Sequence, residues 1–230
     1  MEFIFKLVKM SEQLIFKFPF KKNYLSQDFY VSKNNFHAFK LIESWPKWPC
    51  RLVNIYGPSG CGKTHLINIL KGKINCIIIA ANKINTKTLD QYKIKECLIV
   101  DNFKNDIDEK LLYSIINMAL QDNKYLIISS LTALKNFKIK LKDLSSRFTS
   151  FVDIGIDLPT DDLLRVILEK NFSDKQIKIS EKNIEYILKN IDRSYERVNT
   201  FSSFIDDLSL SKAQPINLQL IKKVLDKLSL

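Results

Sequence analysis

The amino-acid sequence predicts an α/β fold, a parallel sheet with flanking helices, followed by a small all-helical region. Short apolar runs alternate with helical patterns between residues 51 and 156. Most of these runs carry apolar residues on both faces, as in the buried strands of a parallel sheet. After Leu158-Pro159 only helical patterns follow. Strand–helix alternation is typical of doubly wound sheets.

Each predicted element corresponds to one such pattern. The predicted strands cover residues 51–56, 75–80, 97–101, 125–130 and 151–156. Helices are predicted between them near 63–71 and 108–122, and after them near 161–171, 181–190, 195–208 and 217–228. Thr160 is placed to cap the first helix of the second region, since Asp161 and Asp162 suit its first turn.

Three segments are expected along the chain. They are an N-terminal segment over 1–25, an α/β domain over 26–158 and a helical lid domain over 159–230. Residues 11–49 are mixed and turn-rich, and they end in Trp-Pro-Lys-Trp-Pro shortly before the first strand. Prolines at this spacing favour a domain edge.

Composition limits the class of protein. Of 230 residues, 46% are hydrophobic and 27% charged, which is ordinary for a globular chain. The net charge of +11 comes mostly from lysines spread along the chain, so a nucleic-acid or acidic partner and a plain lysine bias both stay open. Only five residues are arginine, and we expect them where a planar fork of donors is needed.

Several kinds of site are not expected. The four cysteines form no CxxC pair and there are two histidines, so neither a zinc site nor a disulfide framework is predicted. No apolar run has the roughly 18 residues of a membrane span, and the N-terminus lacks a secretory pattern. We therefore expect a cytoplasmic protein without membrane contact.

A phosphate-binding loop follows the first predicted strand. Residues 57–64 fit G-x-x-x-x-G-K-[ST] and open a predicted helix. Backbone N–H groups of such a loop bind phosphate oxygens, Lys63 reaches the β and γ phosphates, and the Thr64 hydroxyl holds Mg²⁺. The predicted nucleotide-binding residues of the loop are Gly57, Pro58, Ser59, Gly60, Cys61, Gly62, Lys63 and Thr64.

An acidic residue that ends a later strand completes this site. Asp101 closes the run 97–101 and is predicted to hold Mg²⁺, directly or through water. The cofactors expected are therefore ATP or ADP with Mg²⁺, and the choice between the two nucleotides stays open.

These motifs together resemble the bacterial AAA+ replication initiator family, DnaA, over about residues 11–230. Residues 63–66, Lys-Thr-His-Leu, are similar to the GKTHL of that family. Residues 144–148, Leu-Ser-Ser-Arg-Phe, resemble its L-x-SRF box, which implies that Arg147 is an arginine finger acting in trans. Residues 194–197, Ser-Tyr-Glu-Arg, resemble the sensor II motif, with Arg193 as a competitor of Arg197.

The resemblance adds residues to the nucleotide site. Phe29-Tyr30-Val31 with Asn34 or Asn35 resembles the segment that lies over adenine. Ser129 and Ser130 end the fourth strand, where sensor I residues lie in the family. The additional nucleotide-binding residues implied are His65, Asn102, Ser129 and Arg197. Arg51 and Arg165 are expected to be structural.

Departures from the initiators favour a shorter relative. The sequence ends at Leu230 without a helix-turn-helix, and residues 81–96 are short where initiators place an extra helix that engages single-stranded DNA. The chain is thus more similar to Hda-type proteins, which also have Asp-Asn where Asp101 and Asn102 lie. Asn102 replaces the usual glutamate, and an amide cannot accept a proton, so weak intrinsic hydrolysis is expected.

The N-terminal segment contains a candidate clamp-binding peptide. Residues 13–18, Gln-Leu-Ile-Phe-Lys-Phe, resemble QL-x-[LF], in which Gln13 enters a small pocket while Leu14, Phe16 and Phe18 fill an apolar one. An edge strand is the alternative. Because such peptides lie near the chain start, either Met1 or Met10 remains possible as the first residue.

The resemblance implies a negative regulator of replication initiation. Such a protein docks on the sliding clamp and promotes hydrolysis of the ATP held by DnaA. Self-association and non-specific DNA contact stay open. The alternatives are a DNA-handling AAA+ ATPase, such as a helicase loader or a truncated initiator, and a basic nucleic-acid binder with a structural nucleotide.

Overall fold

A computed structural model of the protein describes residues 29–211 and 214–228. The described residues divide into two compact units. The α/β unit comprises residues 29–164 and 193–196, and the helical unit comprises residues 165–192, 197–211 and 214–228. The predicted clamp-binding residues Gln13, Leu14, Phe16 and Phe18 lie outside the described residues.

The α/β unit contains a five-stranded parallel sheet in its described part. Its strands are β1 (Leu52–Tyr56), β2 (Cys76–Ala80), β3 (Cys97–Phe103), β4 (Tyr125–Ser130) and β5 (Val152–Gly155). Their order is β2-β3-β4-β1-β5. This confirms the predicted fold class and every predicted strand. β3 extends two residues beyond the expected end, and its pairing with β4 shifts register between Val100 and Phe103.

Five helices flank these strands in sequence. They are α1 (Phe36–Glu43), α2 (Lys63–Lys71), α3 (Thr86–Lys93), α4 (Glu109–Gln121) and α5 (Lys142–Phe148). The sequence predicted α2 and α4 but not α1, α3 or α5. α3 occupies the short stretch 81–96, because parallel strands need a crossover element between them. Its start is fixed by a capping box between Asn85 and Thr88.

A core cluster joins the sheet to α4 and α5. From α4 it contains Leu112, Ile115, Ile116 and Ala119, and from α5 it contains Leu144 and Phe148. β3 and β4 contribute apolar side chains to the same cluster. β3 and β4, whose C-terminal parts contain Asp101 and Ser129 of the candidate site, are thereby packed against both helices.

The last four helices match the helical patterns of the sequence. They are α6 (Asp161–Asp174), α7 (Glu181–Asn190), α8 (Tyr195–Ser211) and α9 (Leu218–Leu228). The Leu163 N–H donates to Thr160 Oγ1 at 3.4 Å, as expected of the predicted cap. Buried side chains of the helical unit include Phe172, Ile187 and Phe201. No helix among the described residues has the length and apolarity to cross a membrane.

Candidate nucleotide site

The loop between β1 and α2 is shaped by glycines at positions that accept no side chain. Gly62 has φ of 98°, in the left-handed region, directly before the first residue of α2. A Cβ at Gly62 would lie 2.9 Å from Phe29 Cε2, and one at Gly57 would lie 2.7 Å from the carbonyl oxygen of Ile156. Substitution at either position therefore forces the loop or its neighbours to move.

Lys63 lies inside this loop. Its Nζ donates to the carbonyl oxygens of Gly57 and Pro58 at 2.8 and 3.0 Å. The thiol of Cys61 is 3.8 Å away, and burial raises its pKa although the neighbouring ammonium opposes that shift. Cys61 is therefore a neutral thiol at neutral pH, and Lys63 is the cation that the loop offers to a phosphate.

Polar groups from three elements meet beside the loop. Thr64 Oγ1 donates to Asp101 Oδ2 at 3.1 Å. The hydroxyl of Ser129 donates to the other oxygen of the same carboxylate, and it accepts the Asn102 N–H at 2.8 Å. The structure thus brings together Thr64 of the phosphate-loop motif, Asp101 from the expected strand end, and Ser129, which the family resemblance implied.

The same groups fit a magnesium ion bound through nucleotide. A hydroxyl and a carboxylate are the oxygen ligands that Mg²⁺ accepts, and Mg²⁺ is commonly completed by phosphates and water. No group of three His, Cys, Asp or Glu side chains within the described residues suits a metal ion on its own. Thr64 and Asp101 would therefore share Mg²⁺ with phosphate oxygens.

Asn102 follows Asp101 in an uncommon backbone conformation. Its φ is 60°, in the left-handed region, which asparagine tolerates better than most residues. It is exposed, and its backbone N–H is fixed by Ser129. Such conformations concentrate at functional sites.

The segment that resembles the adenine-covering part of the family lies against the start of α2. The Phe29 ring meets the His65 ring edge-on at 5.4 Å and stacks on Phe39 at 5.6 Å. The Asn35 side chain accepts the Ser32 N–H and donates to the Tyr30 carbonyl, which fixes the turn between them. Tyr30 keeps 49% of its surface exposed.

Arg147 has a different environment from the other arginines. Leu144 and Phe148 on the same helix are buried in the core cluster, whereas Arg147 is half-exposed. Its guanidinium makes no hydrogen bond or ion pair with any described residue. The guanidinium of the predicted arginine finger therefore has no polar partner among the described residues.

Arg193 and Arg197, the two candidates for the sensor II role, are both engaged. Arg193 forms a two-pronged pair with Asp161, at 2.6 and 3.0 Å, and its hydrogen bonds hold the pKa of that carboxyl below its usual value. In the helical unit, Arg197 Nε is 3.1 Å from Asp192 Oδ2 and its Nη1 donates to the Leu228 carbonyl at 2.7 Å.

The arginines expected to be structural have local partners. Arg51 donates to the carbonyl of Asn123 at 2.6 Å and lies over the Tyr125 ring. Arg165 lies 3.9 Å from both Glu181 and Glu185 in the helical unit.

One buried polar group near the site escaped the sequence analysis. Asn54 lies in the middle of β1 and is fully buried. Its amide donates to Asp153 Oδ1 on β5 at 2.7 Å, and its oxygen accepts the Ser130 hydroxyl of β4 at 2.9 Å. The asparagine within an otherwise apolar run could have indicated a buried polar contact. Which residues it contacts depends on the order of the strands.

The fold and site together define a class. A parallel sheet of order 2-3-4-1-5, with a phosphate loop after β1 and an acidic residue in the C-terminal part of β3, is the AAA+ arrangement of P-loop nucleoside triphosphatases. A family model described as RNA helicase matches residues 53–140.

Among curated proteins, the chain is similar to the chromosomal replication initiator DnaA. It is 28% identical to DnaA of Borrelia garinii subsp. bavariensis, over 80% of this chain and 44% of the relative. It is 25% identical to DnaA of Borreliella burgdorferi, over 93% of this chain and 49% of the relative. The chain therefore spans less than half the length of these relatives, and what it is similar to is that part of DnaA.

Solved structures show the same fold. Domain III of Thermotoga maritima DnaA superposes with a TM-score of 0.75 at 17% identity, covering 91% of this chain and 98% of that one. Aquifex aeolicus DnaA bound to AMPPCP gives a TM-score of 0.66 at 18% identity, covering 81% of this chain and 65% of that one.

Proposed function

We propose that this protein is an Hda-type regulator of replication initiation. It binds ATP or ADP with Mg²⁺, docks on the sliding clamp, and promotes hydrolysis of the ATP held by DnaA. The observation that most favours this function is Arg147, a half-exposed guanidinium without a partner among the described residues, on a helix fixed by buried neighbours. The partner that receives Arg147 is DnaA.

The nucleotide binds this chain through its own loop. The ammonium of Lys63 exchanges carbonyl contacts for phosphate contacts, and Thr64 with Asp101 holds Mg²⁺, which neutralises phosphate charge. Ser129, which accepts the Asn102 N–H and donates to Asp101, orients the Asp101 carboxylate. AMPPCP binding by a DnaA of the same fold supports this nucleotide class. Because Asn102 cannot take a proton from water, the chain's own turnover is low.

Arg147 acts on a neighbour's nucleotide. A guanidinium placed beside a γ-phosphoryl group stabilises the charge that develops as the group is transferred. A planar fork with fixed donors suits this role better than a lysine ammonium. The inactive product is ADP-bound DnaA.

The test is the conversion of labelled ATP–DnaA to ADP–DnaA by the full chain, with the clamp loaded on DNA. We expect acceleration that requires the clamp. The matched variant is Gln13→Ala with Leu14→Ala, which should abolish clamp binding in a pull-down and leave ADP affinity intact. Absence of acceleration by the wild-type chain would contradict the proposal, and clamp binding by a chain that starts at Ser26 would contradict the peptide assignment.

A second candidate is a DNA-handling AAA+ ATPase, such as a helicase loader or a truncated DnaA-type initiator. It is favoured because the curated relatives are DnaA proteins, and a DnaA of similar fold was solved with AMPPCP and single-stranded DNA. Robust DNA-stimulated hydrolysis by the purified chain, with steeply salt-dependent DNA affinity, would select this function.

A further inference from the structure

A strip of lysines precedes the arginine-finger helix. Lys138, Lys140 and Lys142 are exposed, whereas the residues between them, Ile139 and Leu141, are partly buried against the core cluster. This alternation is that of extended chain, in which successive side chains point to opposite sides. We call Lys138, Lys140 and Lys142 the lysine strip.

The backbone of the strip is held in place from α4 and the preceding loop. The carboxylate of Glu109 accepts the N–H groups of Lys140 and Leu141 at 3.0 and 2.7 Å. The amide of Asn105 donates to the carbonyl of Lys138 at 3.2 Å. Because the backbone is fixed, binding to the strip requires little ordering of the chain.

The positive charges of the strip have no role in stabilising the described fold. None of the three ammonium groups forms a hydrogen bond or ion pair with a described residue. Lys73 and Lys175, by contrast, lie 2.9 and 3.0 Å from carboxylates. Lys142 is also the first residue of α5, where the helix dipole disfavours a cation.

We infer that the lysine strip is a docking surface for an acidic protein surface on the AAA+ partner whose nucleotide receives Arg147. This inference rests on the proposed function. Lys142 and Arg147 lie on the same helix, five positions apart, which is about 7.5 Å along its axis. A protein surface that brings its nucleotide to Arg147 therefore also lies within reach of the strip.

The surroundings of the strip favour a protein over a nucleic acid. Within 104–110 and 131–142 the exposed large apolar side chain is Leu131 and no aromatic side chain is exposed, so the bases of a single strand have no aromatic platform for stacking. An open cleft of about 540 Å³ adjoins the strip, and its lining combines Lys110 and Lys140 with Asp108 and Glu109. Interspersed carboxylates and ammonium groups match a protein surface whose own charges are mixed and spaced better than the continuous negative charge of a phosphate backbone.

The experiment compares two charge-reversal variants of the full chain. One is Lys138→Glu/Lys140→Glu/Lys142→Glu, and the matched control is Lys182→Glu/Lys189→Glu/Lys223→Glu on exposed positions of the helical unit. Both lower the net charge from +11 to +5. We measure the association rate constant with ATP-bound DnaA at low and high salt, after circular dichroism has verified folding.

We expect the strip variant to associate about tenfold more slowly at low salt and to lose most of its salt dependence, because charges at an interface act mainly on association. The control should stay within about twofold of wild type. Arg147→Ala should associate normally and fail only in hydrolysis.

Three results would overturn the docking surface. They are an unchanged rate for the strip variant, an equal loss in the control, and a strip variant that loses affinity for an oligonucleotide while it still associates with DnaA normally. If the wild-type chain does not associate with DnaA, the proposed function fails together with the docking surface. If the wild-type chain associates and the strip variant does so equally fast, only the docking surface fails.

Discussion

The nucleotide site and the segment 138–148 both contain cations, but the two regions differ in whether those cations are hydrogen-bonded to described residues. At the nucleotide site Lys63 is enclosed by loop carbonyls, and Asp101 accepts hydrogen bonds from two hydroxyls. In the segment 138–148, Arg147 and the lysine strip make no polar side-chain contact with a described residue. The first region has its polar groups satisfied within the unit, whereas the second leaves its charges exposed on a rigid support.

This difference separates two kinds of effect. Groups that bond one another inside the fold determine affinity for a small ligand and local stability. Groups that are fixed in position but unpaired act on another molecule, so their removal should spare the fold. Mutations in the two regions can therefore be distinguished by stability and by partner assays.

The largest expected effect is at Arg147. Arg147→Ala and Arg147→Lys should both reduce stimulated hydrolysis of DnaA-bound ATP by about 10³-fold or more, because the fork of donors is lost at the transferred phosphoryl group. Melting temperature and ADP affinity should not change. Arg165→Ala serves as the control and should retain stimulation. Full activity of Arg147→Ala would remove the mechanism, and unfolding would assign the arginine a structural role.

The next effect is at Lys63. Lys63→Ala removes the cation of the phosphate loop, and we expect ADP and ATP binding to weaken by about 2–4 kcal/mol, roughly 30- to 900-fold. Calorimetry measures this directly. Lys71→Ala, an exposed position in the last turn of α2, should bind nucleotide normally. Equal affinities of the two variants would refute the phosphate-loop assignment.

A smaller effect on stability is expected at Ser129. Ser129→Ala removes the acceptor of the Asn102 N–H and a donor to Asp101, which should lower the free energy of unfolding by about 1–3 kcal/mol. Urea denaturation gives the value. Ser114→Ala on the surface of α4 should change it by about 0.5 kcal/mol or less. If Ser129→Ala is no less stable than Ser114→Ala, the hydrogen bonds among Ser129, Asp101 and Asn102 do not stabilise the fold.

The smallest expected effect is on the pKa of Asp161, the ion-pair partner of Arg193. The hydrogen bonds of Arg193 lower the pKa of Asp161 below 3.8, so the folded state favours the carboxylate. The resulting stability is present above the normal pKa and is lost as pH falls through the lowered value. Because the pair is exposed, the gain is small. Titration of Asp161 by NMR should show the low pKa, and Arg193→Ala should restore the ordinary one.

The sequence predicted the features that depend on residues close together along the chain. The five strands and the helices α2, α4 and α6–α9 follow from apolar periodicity, and the phosphate loop follows from glycines at fixed spacing. α3 was missed because its eight residues include few apolar positions to reveal a period. α1 was missed because turn-forming residues surround it.

Within the site, the sequence by itself determined which chemical groups are present. Lys63 and Thr64 could be named from the phosphate-loop motif and Asp101 from the expected end of a strand, whereas Ser129 was implied by the family resemblance; the ends of parallel strands share one edge of the sheet. The tertiary structure decided which groups bond to each other. The contact of Asn54 with Asp153 needs β1 beside β5, and the unpaired state of Arg147 depends on what surrounds α5. The physical reason is that periodicity records only the neighbours of a residue along the chain, whereas hydrogen bonds and charge pairing depend on residues that folding brings together from distant positions.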